Sequence, residues 1–477
     1  MTQSTFLAET QGSRTSKSSA GQSLLSAVKK HLLKEKASFH TPGHKGRLFL
    51  DIESNLFSAD LTELPGLDEL SAGHGVLREL EERASKIWSA RRSFISVNGA
   101  SAALAAAIMS AAGRGSKILV PRNVHRSALN ALVLSGLEAL WYEAEWLSGW
   151  QSWGETKIEK LKELIDKNQK DLAAVLLCSP NYAGCASDIK SLSSLCKERN
   201  LPLIVDAAHG AHLFEARTGI AGALEAGADI AVHSLHKTLT APTQTGLLQI
   251  AANCPIEDSV FSACLNTLQS SSPSYLLMLG IEKAFDDLDS KLLESALCLS
   301  SDLKNFLANR KELEVLSSKQ NSPFHILIKH ESLSAENLYE QLAAQGVFAE
   351  SILGNGVLLL LGLNSNESDI AILKEALSKL EAGESTIKND RSPAKIPGQI
   401  MSPRAAFFAD SKTVKVKDAV GEIASDWVAP CPPGYAILLP GQRIEKEIQD
   451  FMSNENSLRV VKHPQLEGDT DGSNTAR

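Results

Sequence analysis

What the chain lacks narrows its function first. None of its seven cysteines (178, 185, 196, 254, 264, 298 and 431) forms a C-x-x-C pair or has a histidine-rich neighbourhood. A zinc site and a disulfide framework are therefore not expected, no metal is, and free thiols in the cytoplasm fit best. No apolar run approaches the ~20 residues that span a bilayer, so no membrane partner is expected. The first 22 residues are rich in Ser, Thr and Gln and lack the apolar centre of a signal peptide. Basic residues are not in excess: 48 Lys and Arg stand against 56 Asp and Glu, a net charge of −8. That balance argues against nucleic acid and against an anionic membrane surface. There are no internal repeats.

What is present reads as an ordinary soluble globular chain, 43% hydrophobic and 22% charged. At 477 residues it is too long for one compact core. The pattern divides it into a tail at 1–22, a large unit at 23–290 and a smaller α+β unit at 291–383. A polar linker at 384–398, a compact C-terminal unit at 399–460 and a second tail at 461–477 follow. Residues 23–36 form an amphipathic helix, with Leu24, Leu25, Val28 and Leu32 on one stripe. From Asn98 onward, apolar strand-like runs at 117–120, 139–142, 173–178, 203–205, 229–232 and 246–250 alternate with helical segments. Strands buried on both faces and separated by helices make a mostly parallel α/β sheet. Ligands of such a sheet bind at the carboxyl ends of the strands.

The polar motifs fall at those ends. Ser234-Leu-His236-Lys237 follows one strand, and Asp206-Ala-Ala-His209 follows another, 31 residues upstream of Lys237. A lysine and a carboxylate delivered there are what pyridoxal 5'-phosphate needs: an amine to hold it covalently and an anion to keep its ring nitrogen protonated. Asn98-Gly-Ala-Ser101 opens the alanine-rich helix, where Gly99 permits a tight turn. The free N–H groups around Ala100 and the Ser101 hydroxyl can then bind a phosphate. His125 follows the 117–120 strand and can lie flat on a pyridine ring, with the small Ala208 packed on the other face. Ser234 and His236 can both reach the phosphate. Singly, these are also a solvated lysine, a turn with an N-cap and a loop histidine; their order along successive strand ends makes the case.

Six motifs carry a resemblance. His40-Thr-Pro-Gly-His-Lys-Gly46, Asp60 to Glu69, Asn98 to Ser101, Asp206 to His212, Ser234 to Leu239 and Ser271-Ser-Pro-Ser-Tyr275 closely resemble the bacterial Orn/Lys/Arg decarboxylases. Ser402 to Phe408 and Pro432-Pro-Gly434 to Pro440-Gly441 resemble that family's C-terminal domain. The resemblance runs from about residue 23 to residue 452 and, with His40 so near the start, is to the family's short form. It implies a pyridoxal-phosphate enzyme with an α/β large domain of the aspartate-aminotransferase fold, a smaller α+β domain and a C-terminal domain. It implies that Lys237 holds the cofactor, that Asp206 partners the ring nitrogen and that His125 stacks on the ring. Lys237 or His236 would supply the proton that replaces CO2. Ser101, Ser234 and His236 would bind phosphate, and Ser271 or Ser272 of a neighbouring subunit would complete the site, making the enzyme a homodimer or higher homo-oligomer with shared active sites.

The implied reaction is decarboxylation of a basic amino acid for polyamine synthesis: arginine to agmatine first, then lysine or ornithine. Glu63, Asp68 and Glu69 are the candidate carboxylates for the substrate's cationic end. A lyase or aminotransferase of the same fold, and a catalytically inactive regulatory homologue, are the alternatives. This sequence departs from the family pattern at Ala100, where Thr is usual, at Ala207 in Asp-Ala-Ala-His, at Cys431 and at Gln442, where the family has Pro-Gly-Glu. The cofactor machinery is retained, and the departures bear on specificity.

Overall fold

The computed structural model describes residues 24–47, 56–71, 73–288, 291–381, 392–428, 436–452 and 457–462. The expected tail at 1–22, nearly all of the second tail, Cys431 and residues 384–391 of the expected linker lie outside them.

The centre is a seven-stranded sheet. In chain order its strands are β1 (Arg92–Ser96), β2 (Lys117–Pro121), β3 (Glu138–Tyr142), β4 (Leu172–Cys178), β5 (Leu203–Asp206), β6 (Ile230–Ser234) and β7 (Gly246–Ile250). They lie side by side in the order β1-β7-β6-β5-β4-β2-β3. The β3, β2, β4, β5 and β6 neighbours pair in parallel. Apart from β3 at the sheet edge, where only Tyr142 is buried, their residues are almost all buried, as continuous runs such as Leu-Ala-Ala-Val-Leu-Leu in β4 require. β7 runs antiparallel to both β6 and β1. The chain between β6 and β7 is too short for a crossover helix, so it can only double back.

The sequence pattern misses β1, whose Arg-Ser-Phe-Ile-Ser holds only two large apolar residues. Its charge is accommodated locally, since Arg92 pairs with the buried carboxylate of Glu81 at 2.7 Å. The alanine-rich helix Gly99–Ser110 is buried on nearly all sides, and its small side chains let neighbouring elements approach closely.

A second sheet is antiparallel, in the order Leu313–Val315, His325–His330, Gly356–Leu360, Ser351–Leu353. Helices Ala335–Ala344 and Glu367–Ser378 pack with it. Ala37–Phe39 pairs in parallel with Val347–Ala349, which fastens the N-terminal segment there. The C-terminal region pairs Ser411–Lys415 with Ser457–Val461 over its own small core. It docks on helix Arg126–Ser135 through Trp427 Nε1, which donates to Asn130 Oδ1 at 3.0 Å, and Arg404, which donates to the Leu134 carbonyl at 2.7 Å.

The first helix, Leu24–Lys34, forms where its periodicity predicts, but within a single chain its apolar stripe is uncovered. Leu24, Val28 and Leu32 are 81%, 46% and 62% exposed.

Candidate active site

Asp206 is the last residue of β5, in register with Val232 of β6. Two residues beyond Val232, β6 ends at Ser234, and the single helical turn Leu235–Thr238 carries His236 and Lys237. The parallel pairing thus sets the carboxylate and the amine at adjacent carboxyl ends. Asp206 is buried; its Oδ1 accepts from the Ala208 N–H at 3.2 Å. Burial raises its pKa, and the charge of Lys237 pulls it back down. Burial lowers the pKa of Lys237, which Asp206 and Glu350 oppose. The result is an amine that gives up its proton more readily than an ordinary lysine, next to an anion that water cannot screen.

Three further elements converge on this pair. Helix Gly99–Ser110 begins with Gly99 at φ 72° and without a side-chain cap, so the N–H groups of its first turn, around Ala100 and Ser101, have no local side-chain acceptor. His125 caps helix Arg126–Ser135, its Nδ1 accepting from the Ser127 N–H at 3.2 Å. The protein around His125 and the charges of Lys237 and Arg126 lower its pKa to about 4, although the residue as a whole is exposed. Ser234 Oγ lies 3.2 Å from His236 Nδ1, and burial and Lys237 lower the His236 pKa to about 4. Both histidines are therefore neutral at physiological pH.

The loop of the His40-to-Gly46 motif clamps the lysine turn from outside. Gly43 N–H donates to the His236 carbonyl at 2.7 Å, and a Cβ on Gly43 would fall 2.5 Å from the Leu239 carbonyl oxygen. Only glycine allows that approach.

The other expected residues lie elsewhere in this chain. Ser271 and Ser272 are exposed on the segment before helix Tyr275–Leu288, and Glu63 and Glu69 are exposed on theirs. Asp68 serves the start of helix Gly75–Ile87: its Oδ2 accepts from the Leu77 N–H at 3.2 Å. Among the described residues, no hydrogen bond or ion pair joins these five to Lys237, Asp206 or His236. Gln442 is buried and committed to backbone, accepting from Leu439 N–H at 2.9 Å and donating to the Pro397 carbonyl at 3.3 Å. The Asp188 carboxylate caps the helix start, accepting from the Ser191 N–H at 3.0 Å.

Two participants, Glu350 and His325, had no local signal, and a third lay inside a motif without being assigned a role. Glu350, just after strand Val347–Ala349, accepts from Thr41 N–H at 2.7 Å and from Tyr182 Oη at 3.3 Å, and its charge reaches Lys237 and His236. His209, quoted above only as part of a motif, stands 2.8 Å from Lys237 Nζ through its Nε2. His325, from the second sheet, meets His209 at 2.9 Å. Away from this site, His31, Glu35 and His40 bring possible metal-ligand atoms within 4.8 Å of one another.

The chain matches known proteins over most of its length. Residues 22–328 match the model of the Orn/Lys/Arg decarboxylase major domain, and residues 388–476 that of the Orn/Lys/Arg decarboxylase C-terminal domain. The chain is 30% identical to the arginine decarboxylase of Halalkalibacterium halodurans over 471 residues, covering 93% of this chain and 95% of that one. In three dimensions it resembles the lysine decarboxylase of Francisella novicida, with a TM-score of 0.71 at 17% identity over 87% of this chain and 76% of that one. An alanine–glyoxylate aminotransferase from Nostoc sp. gives a TM-score of 0.54 at 15% identity, covering 70% of this chain and 97% of that one. These two likenesses establish the aspartate-aminotransferase-like fold.

Proposed function

The chain belongs to the Orn/Lys/Arg decarboxylase family, an enzyme of basic amino acid decarboxylation, and on that premise we propose that it converts arginine to agmatine using pyridoxal 5'-phosphate held on Lys237. The observation that carries the reading is the pairing of Lys237, an amine of lowered proton affinity, with the buried carboxylate of Asp206 at neighbouring strand ends.

The residues fit that cofactor. Asp206 has a single backbone N–H on one of its oxygens and would hold a proton on the ring nitrogen by a charge-assisted hydrogen bond. His125 would cover one face of the ring, with Ala208 on the other. The uncapped first turn at Ala100 and Ser101, with Ser234 and His236, would bind the phosphate. The absent hydroxyl at Ala100 leaves more of that work to backbone N–H groups. When bound, the cofactor's ring takes up the electron pair released as the bond from Cα to the carboxylate breaks.

The protein's own part is orientation and proton supply. Each CO2 lost leaves a carbon that must gain one proton, and Lys237 Nζ is our donor, with His236 the second candidate. The substrate's cationic end needs a carboxylate, since an unpaired buried cation is costly. Glu350 offers one whose charge already reaches Lys237. Glu63 and Glu69, exposed in this chain, offer others, while Asp68 is occupied with its helix.

We further propose a homodimer, or a larger homo-oligomer, with shared sites. The uncovered apolar stripe of Leu24, Val28 and Leu32, together with Phe57 at 72% exposure, supports it. A cytoplasmic location is in keeping with the six free cysteines among the described residues; no helix among those residues is long and apolar enough to cross a membrane.

The test is CO2 release from arginine, lysine, ornithine and the neutral norleucine, compared by kcat/KM. Arginine should lead. A preference for norleucine would defeat the substrate reading and leave the cofactor reading standing.

A further inference from the structure

A line of hydrogen bonds runs inward from Lys237. Its Nζ stands 2.8 Å from His209 Nε2, and His209 Nδ1 stands 2.9 Å from His325 Nε2. His325 Nδ1 is 2.8 Å from Ser322 Oγ, which is 3.0 Å from His212 Nε2. His209, His325, Ser322 and His212 are all buried, at 5%, 2%, 0% and 0% exposure. Among the described residues, the ring nitrogens of the three histidines meet no backbone group and no carboxylate. Such a partner normally locks a histidine tautomer. His212 Nδ1, at the far end, is buried with no hydrogen-bond partner.

We propose that these five side chains form a proton relay between Lys237 and His212 Nδ1. The line has two self-consistent directions. With Lys237 as an ammonium, it donates to His209 Nε2, and every histidine carries its proton on Nδ1. His209 then donates to His325, His325 to Ser322 and Ser322 to His212. With Lys237 as a neutral amine, it accepts from His209, and every histidine carries its proton on Nε2. Passing from the first state to the second moves one proton along each link and one from His212 Nδ1 to a water molecule, the acceptor that this end of the line requires. Each bond to hydrogen broken is matched by one formed, and no histidine is charged in either end state.

That last property suits the surroundings. Burial, then the charge of Lys237, holds His209 far below its ordinary pKa and His325 at about 3, and burial does the same to His212. A resting imidazolium is excluded, whereas a change of tautomer costs no buried charge. The groups facing the relay are few. Asp206, Glu350 and Cys178 act on Lys237; His125 and His236 act on His209; Lys304 acts on His325 and His233 on His212. Tyr182 meets His209 edge-on and Phe324 stacks on His212, which holds both rings in plane. A Cβ on Gly184 would fall 2.3 Å from His325 Cβ, so glycine there leaves His325 its place. Gly210 and Leu213, flanking the His212 turn, line a cavity of about 610 Å³, ample for water.

The relay's role in catalysis rests on Lys237 being the reacting lysine, where one proton is consumed per CO2 released. Its existence does not. The measurement is the tautomeric state of His209, His325 and His212 by nitrogen-15 NMR, on full-length chain labelled in histidine rings and freed of cofactor. As pH rises, all three should pass from the Nδ1–H to the Nε2–H form at one shared midpoint below the ordinary lysine value of 10.5, with no imidazolium signal.

Lys237→Ala should abolish the change. Ser322→Ala should leave His209 and His325 changing together while His212 falls out of step. It should also lower kcat about tenfold or more with little change in KM, as expected for losing an acid–base conduit. Fixed tautomers, separate midpoints, or a His212 that keeps pace in Ser322→Ala would overturn the relay, and an unchanged kcat its catalytic use. A chain that never binds pyridoxal phosphate would overturn the preceding reading and leave this titration intact.

Discussion

His40 Nε2 lies 2.7 Å from Glu35 Oε1, while its Nδ1 faces the Thr41 carbonyl at 2.6 Å. Both ring nitrogens therefore face acceptors, an arrangement that an imidazolium satisfies and a neutral ring does not. Burial is the largest single effect and works against that charge, but the Glu35 hydrogen bond, the Thr41 carbonyl and the Glu35 charge together outweigh it and His40 is raised above 6.5. The same bond lowers Glu35 below 4.5. The His40 contribution to stability is full below pH 6.5 and is lost as pH rises through the raised value. The Glu35 contribution is present above pH 4.5 and is lost as pH falls through the lowered one. The pair should thus be strongest between those values. For a partly exposed pair near the surface, Glu35→Gln should cost about 1 kcal/mol or less there. Thermal unfolding of the two proteins at mildly acidic and at alkaline pH checks this: the gap should close as pH rises.

Asp206→Asn should keep the fold and covalent loading of the cofactor and lose most turnover. The amide is nearly isosteric, and its oxygen can still accept from the Ala208 N–H, but it cannot balance a protonated ring nitrogen. Removing one such charge in a low-dielectric site should lower kcat about a hundredfold or more. Steady-state rates with arginine, alongside absorbance of the bound cofactor, separate lost chemistry from lost binding. Near-normal turnover would assign the ring nitrogen to another group.

Ser271 and Ser272 are exposed, and on the proposed shared site they would serve the neighbouring subunit. Lys237→Ala and the Ser271/Ser272 double-alanine protein should each be nearly inactive. Mixed in equal amounts and allowed to exchange subunits, they should regain about a quarter of the intact sites if pairing is random. No recovery after verified exchange would count against a shared site.

The meeting of Asp206 and Lys237 at neighbouring strand ends was legible because each motif is local. Asp206 and the Ser234-to-Lys237 turn sit within a residue or two of apolar strands whose ends the pattern already marks. The mostly parallel sheet was legible for the same reason. β1 was not, because Arg92 needs Glu81, 11 residues away and on another element, to be acceptable in a sheet. His325 and Glu350 were invisible as site residues. They arrive from the second sheet and its neighbouring strand, more than 80 residues after Lys237, and nothing beside them in the chain marks them as polar groups aimed at a lysine. The apolar stripe of the first helix was read correctly as amphipathic; its lack of cover within one chain could be seen only in three dimensions.

The central claim is that Lys237 carries the cofactor. Borohydride reduction of the purified protein, followed by digestion and peptide mapping, tests it most directly. Lys45 is the natural rival, since burial lowers its pKa to about 8, but its Nζ donates to the Leu360 carbonyl at 3.0 Å and to the His40 carbonyl, away from Asp206. A single pyridoxyl label on the Lys237 peptide is the expected result. A label on Lys45 or Lys190, or no label on protein that releases CO2 from arginine, would contradict the account.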